Sequence, residues 1–274
     1  MTFSLVAHDA ADGRLGVAVA TCALAVGRSV PWARGGVGAI ATQAHTDRAY
    51  GARGLDLMAD GASPEAALHQ LLAEDTDADA RQVALVDRHG RVSAWTGGSC
   101  LSACGHVTGD GFAAQGNMLA SRSVIPTMAE AFVAADGELA DRLLVALAAA
   151  EDAGGDVRGR QSAALLVVAD EPTDRPWDAV PVDLRVDDAA EPVAELRRLF
   201  ELQRAYEQGD WVTLGGRAPG GMRGLYVALD AAHRGDLPAA RSALAELRGR
   251  PGMNAVLRRM RTAGRLPHAG DLLD

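Results

Sequence analysis

The sequence has few of the features that mark nucleic-acid-binding, membrane or secreted proteins. Its 27 arginines, in a sequence without lysine, are outnumbered by 36 aspartates and glutamates, and the formal charge of −9 disfavours phosphate binding, which needs clustered basic side chains. No apolar run reaches the ~18 residues of a membrane span, and the N-terminus shows no basic segment followed by an apolar one. We therefore expect a cytoplasmic protein that binds neither nucleic acid nor membranes.

Cysteines and the commonest cofactor motifs are also scarce. The 3 cysteines are an odd number in a chain long enough to bury a core without disulfides, so we expect reduced thiols, with a Cys100–Cys104 disulfide as the alternative. Together with His106 these two cysteines supply only three ligands at an unusual spacing. Gly-x-Ser-x-Gly and Gly-x4-Gly-Lys motifs are absent. We expect no metal and no cofactor.

The order of the predicted elements indicates an α+β fold. Aromatic residues make up only 4% of the chain, so its core is mainly Ala, Leu and Val. Short apolar runs between turn residues predict strands at 3–7, 15–20, 39–43, 83–87, 92–96, 111–115 and 163–168. Apolar residues at helical spacing predict helices at 50–59, 64–72, 123–134 and 139–150. Hairpins with helices grouped between them favour helices packed over stacked sheets.

In the C-terminal quarter of the chain all predicted elements are helices. An amphipathic helix is predicted at 192–208, and the glycine-rich segment 215–221 predicts a flexible break. Three further helices are predicted at 225–233, 238–247 and 254–262. We therefore predict two domains, residues 1–209 and a small helical appendage at residues 218–274.

The loop at residues 154–162 is the most informative polar stretch. Its three glycines and its charged residues suit neither a helix nor a strand, and it leads into an apolar run that predicts a strand buried on both faces. Asp156 and Arg158 either form a structural ion pair or bind substrate. In the second case Arg158 holds a carboxylate in bidentate fashion, and Asp156 orients Arg158 or binds an amine.

Ordered motifs across residues 2–200 resemble one family. They are Thr2-Phe3-Ser4-Leu5-Val6-Ala7, Gly16-Val17-Ala18-Val19-Ala20, Gly36-Val37-Gly38-Ala39, Ala41-Thr42-Gln43-Ala44, Gln115-Gly116-Asn117 and the loop from Gly154 to Ala163. In these motifs the sequence resembles the bacterial and archaeal family of unknown function DUF1028.

This resemblance implies an N-terminal-nucleophile hydrolase-like fold, a four-layer αββα sandwich. Some members of the family carry a C-terminal peptidoglycan-binding-like module, and residues 218–274 stand where such a module is expected; a partner-binding helical module is the alternative. Two positions depart from the family pattern. Cys22 stands where a bulky or polar residue is expected, and the segment Asp187-Asp188-Ala189-Ala190 lacks a histidine after its paired aspartates.

Hydrolases of the implied type attack with a Thr, Ser or Cys at the mature N-terminus, whose α-amine is the general base. Thr2 takes this place if Met1 is removed, whereas Ser4 corresponds better to the strand position that usually holds the nucleophile. Cys22 is a third candidate. Asn117 either donates a hydrogen bond to an oxyanion or caps a turn. Each of these residues has an ordinary structural role as its alternative.

We therefore predict an amidohydrolase that cleaves a C–N bond, other than a peptide bond, in a small molecule or cell-wall-like fragment. The predicted catalytic residues are Thr2, Ser4, Cys22 and Asn117. The predicted substrate-binding residues are Gln43, His45, Asp156, Arg158 and Gln161. The alternative is a non-catalytic binding or assembly protein that keeps the fold. We also expect a homodimer.

Overall fold

A computed structural model of the chain describes residues 2–171 and 174–262 as a mixed α+β protein. The described residues form two antiparallel sheets and nine α-helices. The chain divides into two compact units between Arg197 and Arg198. No helix among the described residues has the length and apolar composition needed to cross a membrane.

The strands all lie in the first unit. They are β1 (Thr2–His8), β2 (Leu15–Thr21), β3 (Pro31–Arg34), β4 (Gly38–Ala44), β5 (Arg81–Asp87), β6 (Val92–Thr96), β7 (Gly105–Gly109), β8 (Phe112–Asn117), β9 (Ser162–Val168) and β10 (Val182–Val186). The larger sheet has the order β10-β9-β2-β1-β8-β7, and the smaller has the order β3-β4-β5-β6. Both predicted hairpins are present, as β1–β2 and β5–β6.

In the first unit the helices lie close to their predicted positions. The helices of both units are α1 (Ala49–Ala59), α2 (Pro64–Glu74), α3 (Val124–Ala134), α4 (Leu139–Asp152), α5 (Pro192–Gln208), α6 (Trp211–Arg217), α7 (Gly220–His233), α8 (Leu237–Arg248) and α9 (Met253–Thr262). The side chain of Ser63 caps α2 by accepting a hydrogen bond from the backbone N–H of Ala66, with Pro64 in the first turn. The sequence signals that precede α2 therefore account for the position at which it starts.

The two sheets pack on one another, and each also contacts its own pair of helices. β1 contacts β4 and β5 across the sheet interface, α3 and α4 contact the larger sheet, and α1 and α2 contact the smaller one. Val17 and Val19 on β2 join the core between the sheets, whereas Gly16 alternates to the other face and lies under Leu143 of α4. Alternate residues of β2 therefore face the other sheet and the helix layer.

The strongest differences from the predicted elements concern weakly patterned segments. β3 and β7 were not predicted, because one begins with proline and the other has the sequence Gly-His-Val-Thr-Gly. The predicted break at 215–221 is wrong: its glycines lie in α6 and α7, and only Ala218 and Pro219 separate these helices. Leu214 and Leu225 are buried in the core of the second unit, and this packing overrides the low helix propensity of glycine.

The second unit has a core of its own. Its buried side chains come from all five helices and include Ala205, Leu214, Leu229, Leu244 and Leu257. Its boundary with the first unit falls inside α5, upstream of the position predicted from the glycine-rich segment. Residues 263–274 of the predicted C-terminal module lie outside the described residues.

Candidate functional site

Buried amide and hydroxyl side chains link the two sheets near the start of β1. Ser4, Gln43, Gln82 and Gln115 are each 0% exposed, and Asn117 is 2% exposed. They project from β1, β4, β5 and β8, so both sheets contribute. Polar groups buried this deeply need hydrogen-bond partners, and here they find them mainly in one another. We call these five residues the inter-sheet network.

Ser4 lies in the middle of the inter-sheet network. Its Oγ donates to Gln43 Oε1 at 2.7 Å and accepts from Gln115 Nε2 at 3.3 Å. The Gln115 amide also donates to the carbonyl of Ala41 at 3.0 Å, while its Oε1 is buried without a hydrogen-bond partner. The Ser4 hydroxyl is therefore engaged as both donor and acceptor, and it is sealed from solvent.

Gln82 connects Gln43 to Asn117 within the inter-sheet network, and it is not one of the predicted site residues. Its Oε1 accepts from Gln43 Nε2 at 2.8 Å and from Asn117 Nδ2 at 2.9 Å. Its Nε2 lies within hydrogen-bond distance of the Gly116 carbonyl at 2.8 Å and of the Gly105 carbonyl at 3.0 Å. An amide side chain directly before an apolar strand could have pointed to Gln82. The strand was predicted to start at residue 83, however, whereas β5 begins at Arg81.

Thr2 begins the central strand β1 at the edge of the inter-sheet network. It is 7% exposed, it pairs in register with Asn117 on β8, and its carbonyl accepts from Gln43 Nε2 at 3.2 Å. On its other side, Thr2 Oγ1 donates to Thr21 Oγ1 at 3.2 Å. The structure thus brings together three predicted site residues, Thr2, Gln43 and Asn117, around one strand end.

Thr21 and Asn117, which lie on either side of Thr2, each line a cavity. Thr21 lines a polar cavity of about 260 Å³, together with Glu151, Asp156 and Arg160. Asn117 lines a second cavity of about 290 Å³. The first residue of β1 therefore lies between two neighbours that each border space for a small molecule.

Asp156 in the loop at residues 154–162 is tied into the protein. Its carboxylate accepts from the backbone N–H of Cys22 at 2.7 Å and of Arg158 at 2.8 Å, and it pairs with the Arg158 guanidinium at 3.2 Å. A β-bridge between Leu119 and Asp156 places the loop beside the segment that follows β8. These contacts attach the loop to the end of β2, while the Arg158 side chain is still 39% exposed.

Cys22 and Gln161 lie further from the strand end. Cys22 Sγ donates to the carbonyl of Arg158 at 3.6 Å. Gln161 donates through Nε2 to Asp188 at 3.1 Å and through its backbone N–H to the carbonyl of Thr21 at 3.1 Å. The Gln161 side chain is thus directed to Asp188, in the segment after β10.

Glu151 and Arg160 give the polar cavity its charge, and neither was predicted. Burial raises the pKa of Glu151, and the nearby Arg160 guanidinium opposes this rise. The Glu151 carboxylate lies 3.6 Å from Arg160 Nε, and Arg160 also pairs with Glu191. A carboxylate whose pKa is raised in a cavity is a common feature of functional sites.

His45 follows β4 and lines the cavity beside Asn117. Arg81 NH1 lies 3.1 Å from His45 Nδ1 and 2.7 Å from the His45 carbonyl, and Arg81 Nε donates to Asp75 at 2.7 Å. The Arg81 guanidinium holds the pKa of Asp75 well below its usual range. Burial, and then the hydrogen bond to Asp75, raises the pKa of Tyr50. His45 is therefore held by the Arg81 guanidinium, which is itself held by Asp75.

The remaining metal-ligand candidates do not form a site. The three cysteines are free thiols, and the described residues contain no group of three or more His, Cys, Asp or Glu side chains placed to hold a metal ion. Cys104 Sγ donates to the carbonyl of Cys100, and burial raises the pKa of the Cys100 thiol.

Comparison with known proteins agrees with the motifs in the sequence. The model of DUF1028, described as a family of unknown function, matches residues 2–196. The crystal structure of protein SPO2555 from Silicibacter pomeroyi, which is assigned to DUF1028, is similar to the chain with a TM-score of 0.66 and 39% identity. The similarity covers 74% of this chain and 85% of that one. A search of curated proteins finds no match.

Proposed function

The chain belongs to the DUF1028 family, whose function is unknown, and from the geometry around Thr2 we propose that it is an amidohydrolase of the N-terminal-nucleophile type. Its substrate is a small molecule or cell-wall-like fragment with a C–N amide bond. One observation carries the proposal: the first residue of the central strand has a hydroxyl, an amide donor opposite it, and cavities bordered by its neighbours on both sides.

The packing of the layers supports the proposed fold. Helices contact each sheet, and the sheets contact one another, which is the arrangement expected of a four-layer αββα sandwich. The N-terminal strand is central in the larger sheet, between β2 and β8. In this position the first residue is held from two sides, as a nucleophile needs to be.

Removal of Met1, which lies outside the described residues, makes the α-amine of Thr2 the general base. An α-amine has a pKa of about 7.7–8.0, which suits proton abstraction near neutral pH. The amine takes the proton from Thr2 Oγ1 as that oxygen attacks the amide carbon. The proton then passes to the nitrogen of the breaking C–N bond, and the amine product leaves. Water, deprotonated by the same α-amine, hydrolyses the ester left on Thr2.

Asn117 is the proposed oxyanion donor. Its Nδ2 carries two hydrogens, of which one donates to Gln82 Oε1, and the residue pairs with Thr2 in register and lines a cavity of its own. The bond to Gln82 fixes the amide before substrate arrives, which is how oxyanion donors act. Gln43 holds the backbone of the nucleophile. Arg160 provides a cationic group in the polar cavity, and Arg158 provides a second one next to Asp156, which lines that cavity.

The contacts favour Thr2 over the other two candidates. The hydroxyl of Ser4 is fully buried, with partners on both sides, so a substrate reaches it only if the inter-sheet network opens. The thiol of Cys22 is directed to the carbonyl of Arg158 in the loop. Of the three, only Thr2 is the first residue of a strand, and it gains an α-amine of its own when Met1 is removed.

Single substitutions test this assignment in the full-length chain. With a panel of acyl p-nitroanilides as substrates, Thr2→Ala abolishes turnover although the protein stays folded, with a melting temperature lowered slightly by loss of the hydrogen bond to Thr21, and Thr2→Ser keeps measurable turnover. Ser4→Ala lowers the melting temperature because it removes two buried hydrogen bonds, yet it retains turnover. Full activity in Thr2→Ala, or loss of activity confined to Cys22→Ala, contradicts the proposal.

A non-catalytic binding or assembly role is the second candidate. It is favoured by the fact that the Thr2 hydroxyl and the Asn117 amide already have partners within the protein. It predicts that Thr2→Ala, Ser4→Ala and Cys22→Ala leave every measured property of the folded protein unchanged except stability. A homodimer and a cytoplasmic location stay predictions, as does the partner-binding or peptidoglycan-binding-like role of residues 218–274.

A further inference from the structure

The cavity beside Asn117 differs in chemistry from the polar cavity beside Thr21. Its lining contains no Asp, Glu, Lys or Arg and consists of Ala44, Ala80, Leu101 and Met118 together with His45, Ser99, Cys100 and Asn117. Its volume of about 290 Å³ is close to the lower limit of small-molecule sites, about 300 Å³. The cavity therefore suits a small, uncharged occupant that meets few polar groups.

His45 provides the cavity with a hydrogen-bond donor of fixed identity. A guanidinium has only donors, so the contact between Arg81 NH1 and His45 Nδ1 makes Nδ1 an acceptor. The imidazole proton then resides on Nε2. The same Arg81 nitrogen also binds the carbonyl of His45, so the ring and its backbone share one support. An occupant of the cavity accordingly meets a donor at His45 and a second at Asn117.

Arg81 itself has little freedom to move. It is 7% exposed, and it is held by Asp75, whose carboxylate also accepts from the Tyr50 hydroxyl at 2.9 Å. Arg81 is therefore a positioning residue, which acts on a substrate only through His45. Its placement on β5, next to Gln82, puts the supports of His45 and of Asn117 on adjacent residues of one strand.

Backbone strain coincides with the same cavity. Three non-glycine residues in the described part of the chain have positive φ, and two of these, Ala44 at 69° and Met118 at 51°, line this cavity. The left-handed region is strained for an L-residue, and such strain clusters at functional sites. The strained residues directly adjoin the two donors, since Ala44 precedes His45 and Met118 follows Asn117.

We infer that this cavity is the acyl-group subsite of the proposed amidohydrolase and that it takes a short, apolar, uncharged acyl group. The apolar walls contact the acyl chain, and His45 Nε2–H and the Asn117 amide donate to the carbonyl oxygen of the substrate. An acyl group with a terminal carboxylate is excluded, because it would lose its hydration and find no cation on the walls. This inference rests on the proposed function.

Binding is tested first, without turnover. The full-length protein carries 13C-labelled methionine methyl groups, and the Met118 signal is identified with Met118→Leu. Butyramide is the uncharged probe and succinamate is its carboxylate counterpart. We expect butyramide to shift the Met118 signal with an affinity on the order of millimolar, and succinamate to bind at least about tenfold more weakly. Equal shifts for the two probes, or none with butyramide near its solubility limit, overturn the inference.

A filled cavity provides the matched control. Ala80→Leu places a larger side chain in the cavity, whereas Ala73→Leu adds the same atoms at an exposed position of α2. We expect Ala80→Leu to abolish the butyramide shift and Ala73→Leu to keep it. Binding that survives Ala80→Leu with an unchanged Met118 shift places the probe elsewhere and overturns the inference.

Turnover separates this inference from the proposed function. If anilides are hydrolysed but Ala80→Leu leaves the preference for butyryl over succinyl unchanged, the subsite is wrong and the activity stands. If butyramide binds at Met118 but Thr2→Ala changes no turnover, the subsite stands and the activity is wrong.

The donor is tested at His45. His45→Phe keeps the ring but removes the donor, and it should weaken butyramide binding about tenfold, whereas His45→Gln places an amide N–H near the original Nε2 and should restore most of it. Equal affinity in the wild type and His45→Phe would refute the role of His45.

Discussion

At the scale of single residues, the inter-sheet network sets the geometry of the candidate site. Gln82 has 0% exposure and connects Gln43 and Asn117 to the carbonyls of Gly105 and Gly116. An amide at this position is stabilising only while all of its partners are in place, since each unpaired buried polar group costs about 1–3 kcal/mol. The network thus makes the position of Asn117 depend on a residue that does not touch substrate.

Gln82→Leu should therefore destabilise the protein by about 3 kcal/mol, because it removes the buried hydrogen bonds that Gln82 makes to Asn117 Nδ2 and to the carbonyls of Gly105 and Gly116. Urea unfolding measures the loss. The control is Gln70→Leu, at an exposed position of α2, which should change the free energy of unfolding very little. Equal stability of the two variants would show that the network contributes nothing.

Asp75 links stability to pH. Its pKa in the folded protein is lowered chiefly by its hydrogen bond to Arg81, so its contribution is complete above the unfolded pKa of about 3.9 and is lost as the pH falls below that value. Asp75→Asn should cost about 2 kcal/mol at neutral pH. The difference from the wild type should shrink towards about pH 3, as unfolding titrations measure.

The exposed carboxylate of Asp56, which pairs with Arg34, provides the comparison. Because exposed ion pairs contribute little, Asp56→Asn should change stability only slightly at either pH. A loss in Asp75→Asn that stays constant across the pH range would mean that the Asp75 carboxylate is not the titrating group.

The sequence predicts some of these residues and not others, for a physical reason. Thr2, Gln43 and Asn117 were singled out because each stands at or near the end of a predicted strand, and antiparallel pairing brings such ends together. Gln82 and Arg81 were not predicted as site residues because their strand was predicted to begin after them. Contacts between the two sheets depend on strand register and on packing, and local propensity does not predict either of them.

At the scale of elements, close approach of α1 to β3 depends on one glycine. A Cβ atom at Gly51 would lie 2.2 Å from Cγ of Trp32. Trp32 is held in place by the hydrogen bond from its Nε1 to the carbonyl of Ser29 at 2.9 Å. Helix propensity alone favours alanine in α1, so glycine stands there because of packing.

Gly51→Ala should consequently lower the melting temperature although it gains up to about 1 kcal/mol of helix propensity, since overpacking costs about 1–3 kcal/mol and α1 must also move. Gly105→Ala on β7 is the control, because a Cβ there meets no atom within 4 Å. Calorimetry decides between them, and a rise in melting temperature for Gly51→Ala would contradict the packing argument.

Elements with strong local signals were predicted well, and those defined by their partners were not. The helices of the first unit follow from periodicity and from the cap at Ser63. β7 contains two glycines and forms a strand because β8 pairs with it, with Val107 opposite Ala114. The helices α6 and α7 retain glycines because their leucines are buried, which a reading of local propensity does not detect.

At the scale of the whole molecule, the two units have separate cores. Leu143 is 0% exposed in the first unit, and Leu214 is 0% exposed in the second. Neither side chain belongs to the core of the other unit. The layered α+β character of the first unit was predictable from the order of its hairpins and helices, whereas the unit boundary inside α5 was not, because the helical pattern continues across it.

Calorimetry of the full-length chain should show two transitions. Leu143→Ala and Leu214→Ala should each cost about 2–5 kcal/mol and each lower a different transition by several degrees. A single transition that both variants shift equally would mean that the units unfold as one.

The central claim is that Thr2 is the nucleophile of the mature chain, and acyl trapping tests it most directly. The protein is incubated with p-nitrophenyl butyrate, quenched in acid and mapped by peptide mass spectrometry. The account predicts an N-terminal peptide that begins at Thr2 and carries a hydroxylamine-labile butyryl ester on Thr2, absent from Thr2→Ala. A fully active amidase that retains Met1, or a butyryl ester on Ser4 or Cys22 instead, would contradict it.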